Sequence, residues 1–257
     1  MTLNEVFSLP RFFNLFKEET SSGHRMTLII ASVVFAFLSF LFILNGSDRG
    51  TPEFHEIWYG LVLLAGGFYF TSTSFNELNR KEERMNYLAI PASIFEKFSM
   101  KLLITTLGYI ISVTLIYWLF SKFIDLITLR YFDFQFDVFN PFGEHYLLLI
   151  KLYLVLQSIF ILGAATFNRF SFFKTLFALG LIGLIIGTFF GISLRLVFAD
   201  FFESLFVPRD DVTVIPSIEF RNFMEYTAWP LLQNLFWYVL APVLWVIAYF
   251  KLKEREV

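Results

Sequence analysis

The only imidazoles in the chain are His24, His55 and His145, and no two of them stand at a metal-ligand spacing. A zinc site needs several His, Cys or carboxylate ligands converging on one ion, and the chain has no cysteine, so neither a thiolate site nor a disulfide framework can form. The acidic pair Glu82-Glu83 runs directly into Arg84, and no second acid or histidine pair matches the pattern of a membrane protease. There is no Gly-x-Ser-x-Gly elbow and no Gly-x-x-x-x-Gly-Lys phosphate loop, so the chain cannot bind ATP in the P-loop manner. No residue is expected to be catalytic, and none to hold a metal. The remaining candidates are polar residues inside apolar stretches, namely Lys151, Gln157, Arg195 and Thr71 to Ser74. Each has a plain structural reading. Lys151 lies close enough to a span end to snorkel, and Thr and Ser hydroxyls can bond to their own helix backbone.

The elements that would carry these residues are set by composition. Of 257 residues 57% are hydrophobic and only 16% charged, and 37 phenylalanines are more than one globular core can hide. A lipid-facing surface needs no hiding, so a membrane is the simplest solvent to expect. A spanning helix needs about 20 mostly apolar residues. Six stretches qualify: Met26 to Leu44, Ile57 to Phe75, Ile94 to Phe120, Tyr146 to Phe167, Leu176 to Val197 and Leu231 to Phe250. They are continuous apolar runs, not alternating strands, and backbone groups in lipid must be satisfied internally. The expected fold is therefore all-α, a polytopic bundle of about six transmembrane helices forming one domain over residues 1–257. About 25 polar and amphipathic residues precede the first apolar span and no small-residue cleavage site follows it, so no early segment reads as a cleavable signal peptide.

Counting Lys and Arg in alternate connections orients the bundle. Thirteen fall in the N-terminal segment, the second-to-third and fourth-to-fifth connections and the tail. Six fall on the opposite side: Arg49, Lys122, Arg130, Arg195, Arg209 and Arg221. Both termini are accordingly expected in the cytoplasm. Trp58, Tyr59, Trp118 and Trp229 fall near outer span ends, as aromatic belts do. A net charge of -2 gives no sign of a nucleic-acid partner.

Three segments are not simple spans. Residues 1–25 mix four Phe with Arg11, Lys17, Glu18 and Glu19, and Ser8 with Pro10 is able to open a short helix, which reads as an amphipathic helix lying along the inner membrane surface. In residues 76–98 the charges from Glu77 to Arg84 would extend the second span as a solvated helix. Pro91 then breaks it, and Ser93 with Glu96 forms the Ser-x-x-Glu box that starts a new helix through Lys97 and Lys101. Residues 199–230 form a long outer segment in which Val197 to Phe206 is apolar enough to dip back into the membrane. The acidic residues there and in Lys122 to Glu144 read most simply as a solvated outer face. In the fifth span Gly180, Gly183, Gly187 and Gly191 fall on one helix face, where another helix can approach closely, either within the bundle or from a second protomer.

The stretch Tyr87-Leu88-Ala89-Ile90-Pro91-Ala92-Ser93 followed by Glu96-Lys97 resembles the ABC-2 type permeases, the membrane subunits of type-2 ABC exporters. In that family a leucine, leucine, x, proline, x, serine element between the second and third spans forms the coupling helix that sits on the ATPase subunit. Pro91 and Ser93 occupy the matching positions, while Ala89-Ile90 stand where leucines are commoner. The likeness extends to the amphipathic N-terminal helix, the six spans with both ends inside and the long outer segment. It implies a coupling site made of Arg84, Tyr87, Leu88, Pro91, Ser93, Glu96 and Lys97. It also implies a separate ABC ATPase subunit carrying ATP and Mg, a homodimer or a heterodimer with a second permease, and a place in the bacterial inner membrane. The rival is a non-transporting anchoring or assembly subunit of the same topology. Substrate identity does not follow from the scaffold.

Overall fold

The computed structural model describes residues 7–20, 35, 37, 39, 52–131, 139–197, 222 and 224–256. Among these every regular element is helical and none is a strand. In chain order they are α1 (residues 9–20), α2 (52–72), α3 (Lys81–Ala89), α4 (94–131), α5 (Glu144–Thr166), α6 (Ser171–Val197) and α7 (224–256). Four stretches are long and apolar enough to cross a membrane: Ile94–Ile127, Glu144–Thr166, Ser171–Ser193 and Glu225–Arg255. Membrane insertion is what that composition leads to.

The four correspond to the expected third to sixth spans, with one change at the C-terminal end. Residues 224–230, expected in the outer segment, are the opening turns of α7. The rest of that segment, with its re-entrant stretch, lies outside the described residues. So does most of the first span, in which residues 35, 37 and 39 are helical. The second expected span is the helix α2, but it is not among the four. It carries His55, Glu56, Thr71, Ser72 and three glycines, and its side chains Phe54, Tyr59 and Leu63 are buried. A helix that buries one face against protein has no need of a uniformly apolar surface.

The expectation that α2 runs on as a solvated helix through Arg84 is overturned. The helix stops at Ser72, a turn and a 3-10 stretch Asn76–Asn79 follow, and Arg80 is extended before α3 begins. Thr73 and Ser74 both turn their hydroxyls back onto Phe70 O (2.8 and 3.4 Å), a local alternative to continuing the ladder. Bending there also carries Phe75 and Leu78 inward, to 1% and 7% exposure.

The chain divides into two compact units, Met1–Phe172 with Ala241–Val257, and Phe173–Leu240. The first has two cores. One joins Phe54, Tyr59 and Leu63 of α2 to Ile110, Tyr117, Phe120 and Ile124 of α4, Tyr146 and Tyr153 of α5, and Phe139. The other joins Phe75, Leu78, Tyr87 and Phe98 to Ile161, Ala164 and Ala165 of α5 and Ala248 and Leu252 of α7. In lipid, helix association rests on close packing and hydrogen bonds, since hydrocarbon is as apolar as Leu. Gly67 answers to that rule: a Cβ there would fall 2.2 Å from Tyr153 Cε2 and 2.8 Å from Tyr109 Cε1, so only glycine lets both rings lie on α2. Two π-turns, Val62–Gly66 in α2 and Ile104–Gly108 in α4, widen the helices beside these rings. Tyr109 OH donates to Val62 O (2.7 Å) and Tyr153 OH to Thr105 O (2.6 Å).

In the second unit residues 180–192 of α6 are all exposed. A Cβ at Gly180, Gly183, Gly187 or Gly191 would meet nothing within 4 Å. Among the described residues of this unit, no helix packs on that face.

Candidate functional site

The sequence residues singled out between 84 and 97 gather around one turn. α3 ends at Ala89, Ile90 is extended (φ -63°, ψ 121°), and Ala92 N–H donates to Ile90 O (2.8 Å) across Pro91. Pro91 leaves helix as a residue without an N–H must, and it holds Ile90 in extended conformation. Ser93 then caps α4 in a complete box, with Glu96 N–H donating to Ser93 Oγ (3.1 Å) and Ser93 N–H to Glu96 Oε2 (2.8 Å). Both bonds link residues three apart, so this part of the site is local in sequence.

Lys97 folds back instead of pointing outward. Its ammonium donates to Tyr87 O (2.8 Å) and lies 4.5 Å from the centre of the Tyr87 ring, with Lys97 only 3% exposed. A cation on the last carbonyls of α3 complements the negative end of the helix. Tyr87, Glu96 and Lys97 are therefore inward residues that hold the turn in shape. Arg84, Leu88 and Pro91 are exposed, as are Met85 (71%) and Phe95 (43%), and Ser93 is half-buried. The site thus has a fixed inner side and an exposed outer side bearing both apolar and charged groups.

Residues from distant parts of the chain complete the inner side, and none of these contacts has a local signature. Glu96 Oε1 accepts from Ser8 N–H (2.6 Å) and lies 3.2 Å from Arg11 Nη2. Lys101, one turn and a half further along α4, bridges Glu19 of α1 (2.6 Å) and Glu77 of the 3-10 stretch (3.0 Å). Arg84 donates to the backbone oxygen of Arg255 (3.0 Å). Arg255 in turn donates to Ala164 O and Ala165 O, both at 3.1 Å, and to Asn79 Oδ1 (3.1 Å). One guanidinium so satisfies the last carbonyls of α5 and pins the start of the connection. The N-terminal helix, the connection and the C-terminal tail are drawn together at one end of the unit.

Deeper in the same unit a polar row crosses three helices. Gln157 of α5 donates to Thr105 Oγ1 (2.9 Å) and accepts from Trp245 Nε1 (3.2 Å), and Thr105 Oγ1 donates to Lys101 O (2.8 Å). Gln157 is wholly buried, and its amide is satisfied from two neighbouring helices, so it serves as interhelical glue. Lys151 and Arg195 are exposed.

Of the histidines, His55 is buried against Tyr117 OH (3.2 Å) and His145 is exposed, 4.0 Å from Glu56. His24 lies outside the described residues. Among the described residues no three His, Asp or Glu side chains converge as metal ligands would. No protein-family model, curated protein or solved structure matches the chain.

Proposed function

We propose that this chain is the transmembrane permease subunit of a type-2 ABC exporter, and that ATP hydrolysed by a separate ATPase subunit drives it. The observation that carries the reading is the turn between α3 and α4. Its inner side is pinned by Glu96, Lys97 and Tyr87, while Arg84, Met85, Leu88, Pro91 and Phe95 are exposed on the outside. A rigid element with an exposed mixed face is what a partner must push on if force is to reach the spans.

On this reading the chain has six spans with both termini in the cytoplasm of a bacterial cell, and α1 lies along the inner membrane surface. Contact of α1, the connection and the tail at one end of the unit supports a common side for all three. The exposed glycine face of α6 faces a second permease, the same chain or a homologous one, and the substrate path runs between the two. ATP and Mg belong to the partner.

The test is co-purification of the tagged chain from mild-detergent membranes with its partners identified and ATP hydrolysis assayed. A stoichiometric P-loop ATPase is expected, and Met85→Glu or Leu88→Glu should release it, because both side chains are exposed and neither supports the fold. Recovery of the chain alone across several detergents would overturn the exporter reading and favour an anchoring role.

A further inference from the structure

We infer that Glu96 is a helix cap shared in trans, completing the N-terminus of α1 as well as that of α4 and so making α1, the Pro91 turn and the start of α4 one mechanical body.

The two helices begin with related sequences of different completeness. α4 opens Ser93-Ile94-Phe95-Glu96, where the third helical residue is the carboxylate that accepts the N-cap N–H. α1 opens Ser8-Leu9-Pro10-Arg11. Ser8 is its N-cap, since Ser8 O accepts the first intrahelical bond from Phe12 N–H (3.0 Å). The residue at the position of the reciprocal carboxylate is Arg11, a group that cannot accept a hydrogen bond. Glu96 supplies that carboxylate from the other helix. Its Oε2 accepts from Ser93 N–H (2.8 Å) and its Oε1 from Ser8 N–H (2.6 Å), so one side chain receives the N-cap N–H of both helices. Arg11 reaches the same Oε1 at 3.2 Å and compensates a carboxylate that is 0% exposed.

A second tie fixes the other end of α1. Glu19 meets Lys101, whose side chain is 6% exposed and which also holds Glu77. Two buried charges on α4, five residues apart, therefore grip both ends of the twelve-residue helix 9–20. Breaking a buried ionic contact by removing one partner is far more disruptive than breaking an exposed one. α1 consequently follows any displacement of the turn. This holds whether or not the chain transports anything.

The absence of cysteine from the chain allows spin labels to be placed at will. Labels at Leu9→Cys and Met85→Cys, both exposed positions, report the distance between α1 and α3 in protein reconstituted in lipid nanodiscs, and hydrogen exchange reports protection of residues 9–20. The parent should give one narrow distance. Glu96→Ala should lose it and speed exchange over α1. Ser93→Ala removes only α4's own hydroxyl cap and should keep the narrow distance. Adding Arg11→Glu to Glu96→Ala gives α1 a capping box of its own, which should restore slow exchange without restoring the distance. The inference is overturned if Glu96→Ala keeps the parent distance or if Ser93→Ala loses it equally. It is overturned as well if the double variant regains the distance or fails to regain protection.

Discussion

Replacing Gly67 by alanine places a Cβ 2.2 Å from Tyr153 Cε2, 2.9 Å from Tyr153 Cζ and 2.8 Å from Tyr109 Cε1. All three distances are shorter than any real Cβ contact, so the rings or the helices must move. The Tyr153 ring is held on three sides. It is 0% exposed, lies 5.5 Å from the Tyr109 ring by centroids, and its hydroxyl is tied to Thr105 O. Overpacking of this kind costs about 1–3 kcal/mol, and two rings in conflict put Gly67 at the upper end. Straining the Tyr153 to Thr105 bond adds about 0.6 kcal/mol, the mean for hydrogen bonds between membrane helices. Against that, alanine is the better helix former by about 1 kcal/mol. The net expectation is a loss of about 2.5 kcal/mol. Unfolding of the detergent-solubilised protein by SDS, followed by circular dichroism, measures it. Gly60→Ala is the control, because its Cβ would sit 3.5 Å from Leu149 Cδ1, an ordinary contact, and only the propensity gain should remain. In a Tyr153→Leu background, where the two Tyr153 ring atoms are gone and only the Tyr109 Cε1 contact remains, the Gly67→Ala penalty should shrink. Wild-type stability in Gly67→Ala, or an undiminished penalty in the Leu background, would refute the packing argument.

Two further outcomes follow from the same structure. Gln157→Leu removes the bonds to Thr105 and Trp245 and should lower stability by about 1 kcal/mol, two interhelical bonds at roughly 0.6 each. SDS titration reads it, and an unchanged midpoint would mean the polar row contributes nothing. Gly183→Ala meets nothing within 4 Å among the described residues, so monomer stability should hold or rise by up to about 1 kcal/mol. If α6 packs on a second permease as proposed, chemical cross-linking to dimer should fall in the same variant, and full dimer yield would remove that face from the interface.

Features of the chain that depend on neighbours within one helical turn were legible in its residues. Pro91 breaking the helix and the Ser93 to Glu96 box are i to i+3 chemistry and stand in the structure as spacing alone requires. So do the four long apolar helices, because the need to satisfy backbone groups in lipid leaves few alternatives to a helix. The bend after Ser72 was not legible, since the charges from Glu77 onward read equally well as a solvated helix. What decided it was burial of Phe75 and Leu78 against α5 and α7, helices far away in sequence. The π-turns that place Val62 O and Thr105 O before tyrosine hydroxyls leave no mark in hydropathy either. Lys101, Glu19, Arg11 and Arg255 read individually as ordinary cytoplasmic charges. Tertiary structure alone made them partners, because a contact between residues more than eighty positions apart has no period by which a sequence can announce it.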